Sequence, residues 1–175
     1  MCNPIRMDAK MWFPGIGQRQ EHRITSDVVL LHPRSRGRVS LRSADPRDPP
    51  RIQLNLLSDP ADLQTLIRGI GVARDIYRTA PQSALTGKAL RPGAELTSSA
   101  DLENYIRGSL AVTQHPVGTC AMGVGPDAVV DPKLRVHGID GLRVADASIM
   151  PTVPGANTNA ACIMIGEKAS DLIVS

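Results

Sequence analysis

Of the four histidines in this 175-residue sequence, His115 stands in the setting best suited to chemistry. It follows a helix-like stretch and precedes Pro116, Gly118 and Thr119. Proline fixes the backbone beside the ring, and glycine lets another backbone or a ligand come close. Histidine as a side-chain type changes charge near neutral pH, so an imidazole held this way suits a general base. A hydrogen-bonded loop histidine fits the same residues. His22 lies in a polar, weakly patterned stretch, and His32 sits between a β-prone run and a basic turn (Arg34, Arg36). His137 lies in a glycine-flanked turn. These three read as solvated or hydrogen-bonded loop residues.

A second group is Asp146-Ala147-Ser148, followed by Pro151 and then Pro154-Gly155-Ala156-Asn157-Thr158-Asn159. The pattern predicts a strand ending at Asp146, a constrained loop, and a helix beginning near Asn159. Ligands of open α/β sheets sit beyond the carboxyl ends of strands and against helix N-termini, where unpaired N–H groups favour negative charge. Asn157 and Asn159 fall where such a ligand would be met. Plain N-capping by Asn157, Thr158 or Asn159 accounts for the same residues, and both readings can hold together. Other signals fail. Gly69-Ile70-Gly71 lacks a third glycine and a preceding strand, so it is no dinucleotide fingerprint. There is no Gly-x-Ser-x-Gly elbow. Cys120 has no second ligand pair nearby, so no metal site is expected.

Periodicity gives the elements that must position these residues. Val28-Val29-Leu30-Leu31 is a β-prone run, and Gly37 to Arg42 alternates apolar and polar as a half-exposed strand does. Ile52 and Leu54 suggest another strand beyond the turn-rich residues 43–50. Asp59-Pro60 is a helix start, followed by Leu63, Leu66, Ile67, Ile70, Val72, Ala73 and Ile76 as an apolar face. Residues 80–96 read as loop. Ser98, with Asp101 as its capping partner, opens a second helix with Leu102, Ile106 and Leu110 inward and Tyr105 at the edge. Leu142-Arg143-Val144-Ala145 reads as a buried strand and residues 159–173 as a last helix.

Composition narrows the function classes. Twenty Lys+Arg against 17 Asp+Glu leave a formal charge of +3. That is too small and scattered to argue for nucleic acid, although the sequence pI is about 9.0. With 42% hydrophobic and 21% charged residues, disorder, collagen and coiled coil are excluded. The cysteines (Cys2, Cys120, Cys162) show no paired spacing, which fits a reducing compartment. No stretch of signal-peptide character opens the chain, and the longest apolar run, Ala160 to Ile165, is far shorter than the ~20 residues of a spanning helix. The expectation is a soluble, cytoplasmic chain with no membrane span. Its few aromatics (Trp12, Phe13, Tyr77, Tyr105) leave a core of Leu, Ile, Val and Ala.

The segment His115-Pro116-Val117-Gly118-Thr119-Cys120-Ala121-Met122-Gly123 resembles the C-terminal signature of the glucose–methanol–choline (GMC) flavoprotein oxidoreductases. Val130-Asp131-Pro132, Val136-His137-Gly138 and the run from Gly141 to Pro151 are similar to the same family, as are Asn157 to Ala160 and Ile163 to Lys168. Upstream, Pro33 to Val39 and Ser58 to Leu63 look like its substrate-domain segments. The resemblance implies oxidation of an alcohol with FAD, in the manner of choline and alcohol dehydrogenases. His115 would accept the hydroxyl proton or stabilise the alkoxide, and Asn157 would hydrogen-bond the alcohol oxygen, while hydride passes to flavin N5. Asp146, Ala147, Asn157, Thr158 and Asn159 would touch FAD. A helix start near Asn159 would stabilise the charge of reduced flavin by about 1 kcal/mol.

The implied fold class is α/β. An α+β part of the substrate domain is expected over residues 27–125, and the last strand and helix of a Rossmann-like FAD domain over 126–175, after a poorly patterned segment 1–26. Ala161-Cys162 stands where relatives often have Pro-Thr. The family's glycine-rich FAD fingerprint, Gly-x-Gly-x-x-Gly after a strand, is not among these residues. The expectation is therefore the C-terminal part of a larger enzyme, partnered by an N-terminal FAD-binding portion. The alternative is a truncated, inactive chain or an interaction module that cannot bind FAD alone.

Overall fold

The computed structural model describes residues 23–174, so His22, Trp12, Phe13 and most of the weakly patterned first segment lie outside it. Helices begin where the sequence supplies a start signal. Asp59 accepts a hydrogen bond from the Ala61 N–H at 2.8 Å, and Pro60 opens helix α1 (Pro60–Arg78), its missing N–H being one the first turn leaves unpaired anyway. Leu63, Leu66 and Ile70 of α1 are buried, whereas Val72 and Ile76 are exposed. At roughly 100° per residue Val72 lies opposite Leu63, so one face cannot hold both. Helix α2 (Gln82–Leu85) is a single turn inside the stretch expected to be loop. Four residues are too few to show a period. Helix α3 (Ser99–Ser109) starts as its capping pair predicts. The Ser98 hydroxyl donates to Asp101 at 2.6 Å and accepts from the Asp101 N–H at 3.1 Å, with Leu102 and Ile106 buried below. Helix α4 (Asn159–Val174) is the last described element, and no helix of the described residues is long and apolar enough to cross a membrane.

Strands β1 (Arg38–Ser40) and β2 (Arg51–Gln53) pair antiparallel, with Arg38 opposite Gln53, Val39 opposite Ile52 and Ser40 opposite Arg51. The architecture is thus a mixture of helices and a small antiparallel sheet. Two expected strands are absent. Val28 to Leu31 has no hydrogen-bonded strand neighbour among the described residues, and the Val28 side chain instead fills the space beside Gly69 of α1. Leu142 to Ala145 is extended but makes no ladder. Its contacts are the Val136 N–H to the Leu142 carbonyl (3.0 Å), the Val144 N–H to the Leu134 carbonyl (3.1 Å) and one bridge, Arg135 with Arg143. Leu142 is exposed rather than buried. A ladder requires a neighbour that continues alongside, and the chain turns away after Val136.

Contacts divide the chain into two interleaved units. Among the described residues, one holds those up to Val29 with Gln64–Ser109, and the other holds Leu30–Leu63 with those from Leu110 onward. These groupings follow packing and do not coincide with the motif-based boundaries after residues 26 and 125. The second unit contains the β1–β2 pair and a core of Val130, Leu134, Ile149, Ile165 and Ala169, with Met122, Val136, Val144 and Leu172 packed around it.

A buried carboxylate fastens the front of that unit. Asp62, 3% exposed, accepts hydrogen bonds from the N–H groups of Arg34 and Ser35, each at 2.8 Å, and from the Ser35 hydroxyl at 2.6 Å. The Ser35 oxygen in turn accepts from the Asp59 N–H at 3.1 Å. Burial alone would raise the Asp62 pKa, but these bonds and the charge of Arg34 outweigh it and hold the group below its ordinary value. Asp62→Ala is expected to lower the unfolding free energy in urea by about 2–3 kcal/mol at neutral pH. Because the folded pKa is depressed, this contribution is complete above the ordinary value of 3.8 and is lost as pH falls through the folded value. The two proteins should therefore converge in acid. Equal stability at neutral pH would contradict the role.

Candidate active site

Three segments of the second unit come together around His115. Gln114 precedes it with φ 60°, a left-handed conformation that costs a non-glycine residue about 1–2 kcal/mol. Gly118 follows with φ 88°, and a Cβ there would stand 3.3 Å from the Met150 carbonyl oxygen. Glycine therefore lets the chain after His115 run close beside residues 148–150. The Cys120 N–H donates to the Ser148 carbonyl at 3.0 Å, the Met122 N–H to Ile149 at 2.8 Å, and the Gly123 N–H to Val130 at 2.9 Å.

Two carboxylates shape the turns behind this run. Asp146 accepts the Ser148 N–H at 2.7 Å and so caps the short 3-10 turn Ala147–Ile149. The Ser148 hydroxyl and N–H hold its carboxyl below the ordinary range. Asp131 accepts from the N–H groups of Lys133 (2.8 Å) and Arg135 (2.9 Å) and from the Arg135 guanidinium (2.8 Å). The Arg135 N–H, with the guanidinium and the Lys133 N–H, brings the Asp131 pKa down to about 2. The turn it closes delivers Leu134 to the core. His137 lies against the Gly123 carbonyl at 3.2 Å, a structural contact.

The core then sets where α4 begins. Ile165 and Ala169, one turn apart on the same face, are buried with Ile149 and the fully buried Val130. At the start of α4 the Thr158 carbonyl accepts from the Cys162 N–H at 2.9 Å, which makes Thr158 the capping residue. A threonine in that position commonly turns its hydroxyl toward the first-turn N–H groups. Here the Thr158 Oγ1 lies 3.0 Å from His115 Nδ1 instead. Thr158 is 9% exposed and His115 half-buried. Among the described residues nothing accepts from the N–H groups of Asn159, Ala160 or Ala161, so α4 starts with bare donors.

The structure thus joins His115 to Thr158 directly, and it places Asp146 and Ala147 in the turn whose Ser148 carbonyl holds the His115 segment. Asn157 and Asn159 flank Thr158, both exposed, and their side chains make no hydrogen bond among the described residues. The Asp146 carboxylate is committed to Ser148. Sequence reasoning singles out both His115 and Thr158 but does not link them, since no spacing rule joins residues so far apart. Among the described residues no group of three His, Cys, Asp or Glu is placed to hold a metal ion.

Residues 33–166 match the GMC oxidoreductase family, in its C-terminal domain. The chain is 46% identical over 150 residues to an alcohol dehydrogenase [acceptor] of Pseudomonas putida, a match covering 86% of this chain and 27% of that protein. It is 40% identical over 164 residues to an oxygen-dependent choline dehydrogenase of Brucella ovis, covering 93% and 30%. A solved fungal aryl-alcohol oxidase superposes with a TM-score of 0.74 at 37% identity, over 83% of this chain and 24% of that one. The chain therefore spans less than a third of the length of these relatives.

Thr158→Val keeps the shape of the side chain and removes the partner of Nδ1. It is expected to shift the His115 ring-nitrogen NMR signals toward those of an unbonded imidazole, at a cost of about 1 kcal/mol in stability. Unchanged ring signals would mean that the bond does not form in solution.

Proposed function

The chain belongs to the GMC oxidoreductase family, and from that premise we propose that it is the C-terminal part of an FAD-dependent enzyme oxidising the CH–OH group of a small alcohol. The observation that carries this reading is the His115–Thr158 bond at the uncapped start of α4. GMC members are FAD-dependent. The residues present fit one part of that cofactor: bare N–H donors at Asn159, Ala160 and Ala161 and the free amides of Asn157 and Asn159 suit a group that gains negative charge on reduction. Asn157, Thr158 and Asn159, with Asp146 and Ala147, would hold it. When bound, FAD supplies the acceptor for the hydrogen on the alcohol carbon.

The chain's own residues do the rest. With Nδ1–H donating to the Thr158 oxygen, the imidazole lone pair lies on Nε2, which takes the hydroxyl proton. The Asn157 amide donates to the alcohol oxygen and holds it as the proton leaves. No Gly-x-Gly-x-x-Gly motif occurs in the sequence to receive a pyrophosphate, and on this reading an N-terminal FAD-binding portion completes the site. The free thiols of Cys120 and Cys162 suit a reducing, cytoplasmic setting.

A second reading is favoured by the surface. Ile163, Met164 and Ile173 of α4 are 60%, 59% and 64% exposed, and Val39 and Ile52 of the β1–β2 pair are also uncovered. Apolar surface of this kind asks for a cover. On that reading the chain by itself is an inactive fragment or an interaction module.

The two readings separate experimentally. FAD added to the chain alone is expected to give no stoichiometric flavoprotein. Co-expression with the N-terminal portion of a family member should give flavin binding and alcohol oxidation, and His115→Ala should then lower turnover by about 100- to 10,000-fold. Turnover retained by His115→Ala would overturn the base assignment. Stoichiometric flavin on the chain alone would overturn the need for a partner.

A further inference from the structure

We propose that the exposed apolar face of the β1–β2 pair is the surface on which the N-terminal FAD-binding portion docks, and that this partner meets it with an apolar centre and an acidic rim. The inference rests on the reading above that such a portion completes the enzyme, and it gives that partner a place on the chain. Val39 and Ile52 stand directly opposite each other, so their side chains share one face of the pair. Both are exposed, as are Leu41 and Leu54 just beyond the strand ends, Leu41 at 85%. Aliphatic side chains grouped in water mark a surface that another element covers. The pair is not exposed for want of an anchor. Arg34 and Ser35 donate to the buried Asp62 just before it, and the Asn55 side-chain amide donates to the Arg36 carbonyl at 3.0 Å just after it. A face fastened at both ends loses little freedom when a partner covers it.

Charge selects the occupant. Alternation puts Arg38, Ser40, Arg51 and Gln53 on the opposite face of the pair. The Arg38 and Arg51 side chains are in no ion pair among the described residues. Residues 34–51 hold six arginines against two aspartates, in a chain whose formal charge is +3, so the positive excess is concentrated here. Two copies of the chain stacked on this face would bring like charge to like charge, which opposes a homodimer. An acidic rim is attracted instead. The pair belongs to the unit that contains His115, Asn157 and Thr158, so a partner seated on it is joined to the unit that carries the site. The chain covers 27% of the Pseudomonas putida relative and 24% of the fungal oxidase, so most of the family's length is available as that partner.

The test co-expresses the tagged chain with the N-terminal portion of the Pseudomonas putida relative and scores co-purification, with neither flavin nor alcohol in the readout. The wild-type chain is expected to hold this partner, less tightly as salt rises. Ile52→Asp puts a charge in the centre of the face and should weaken binding about 10-fold or more. The urea midpoint of the chain alone should not move, because residue 52 is already exposed. Arg51→Glu, on the other face, should weaken binding at low salt and match the wild type at high salt. Should Ile52→Asp unfold the chain, Arg51→Glu decides. No co-purification of the wild-type pair, wild-type binding by Ile52→Asp, or wild-type binding by Arg51→Glu at low salt would each overturn the proposal. So would a chain that dimerises, or sediments with phosphatidylglycerol vesicles, and loses this with Ile52→Asp. His115→Ala should assemble as the wild type does. A complex that assembles through this face but leaves alcohols unoxidised would overturn the proposed activity and leave the docking surface standing.

Discussion

The burial of Ile165 and Ala169 of α4 against Ile149 and Val130 is the contact on which the site depends. Regular sheet is almost absent around it. Beyond the three-residue strands of the β1–β2 pair, the segments that build the site touch through isolated bridges: Met122 with Val130, Val130 with Val136, Arg135 with Arg143. Among the described residues no cooperative ladder sets their geometry. Side-chain burial does, at about 1.5–3 kcal/mol for each fully buried aliphatic residue. Because Ile149 belongs to the turn that holds the His115 segment and Ile165 to α4, this one packing joint brings His115 and Thr158 within hydrogen-bond reach.

A division of labour among polar groups follows. Asp62, Asp131 and Asp146 each accept N–H groups of neighbouring turns, and all three are held below the ordinary carboxylate range. They remain ionised through the neutral range and serve as clasps for the backbone. The amides of Asn157 and Asn159 and the first N–H groups of α4, all neutral, are left without hydrogen-bond partners among the described residues. Diverting the Thr158 hydroxyl from capping to His115 makes both halves of this arrangement at once. It orients the imidazole, and it leaves the first N–H groups of α4 without a side-chain cap among the described residues.

Much of this was legible in the sequence where a local rule sufficed. Asp59-Pro60, the Ser98–Asp101 pair and the apolar spacing of Leu102 and Ile106 mark helices because caps and a 3.6-residue period are local properties. The turn at Ser43 to Pro50 and the short strands on either side follow from the same kind of signal. Leu142 to Ala145 looks like a strand for the same local reason, but a strand exists only with a neighbour, and pairing partners are not written in its own residues. The one-turn helix at Gln82 is below the length at which a period shows. In the site, His115 and Asn157 to Asn159 stand out by residue type and family pattern. The bond to Thr158 and the clasp at Asp62 are long-range contacts, and no spacing reveals them.

One hydrogen bond, between His115 and Thr158, joins two segments distant in the sequence. The most direct measurement is a double-mutant cycle on unfolding free energy with His115→Ala, Thr158→Val and the pair together. The expected coupling is about 0.5–1.5 kcal/mol in favour of the wild-type pair. Additive losses, with no coupling, would contradict the account.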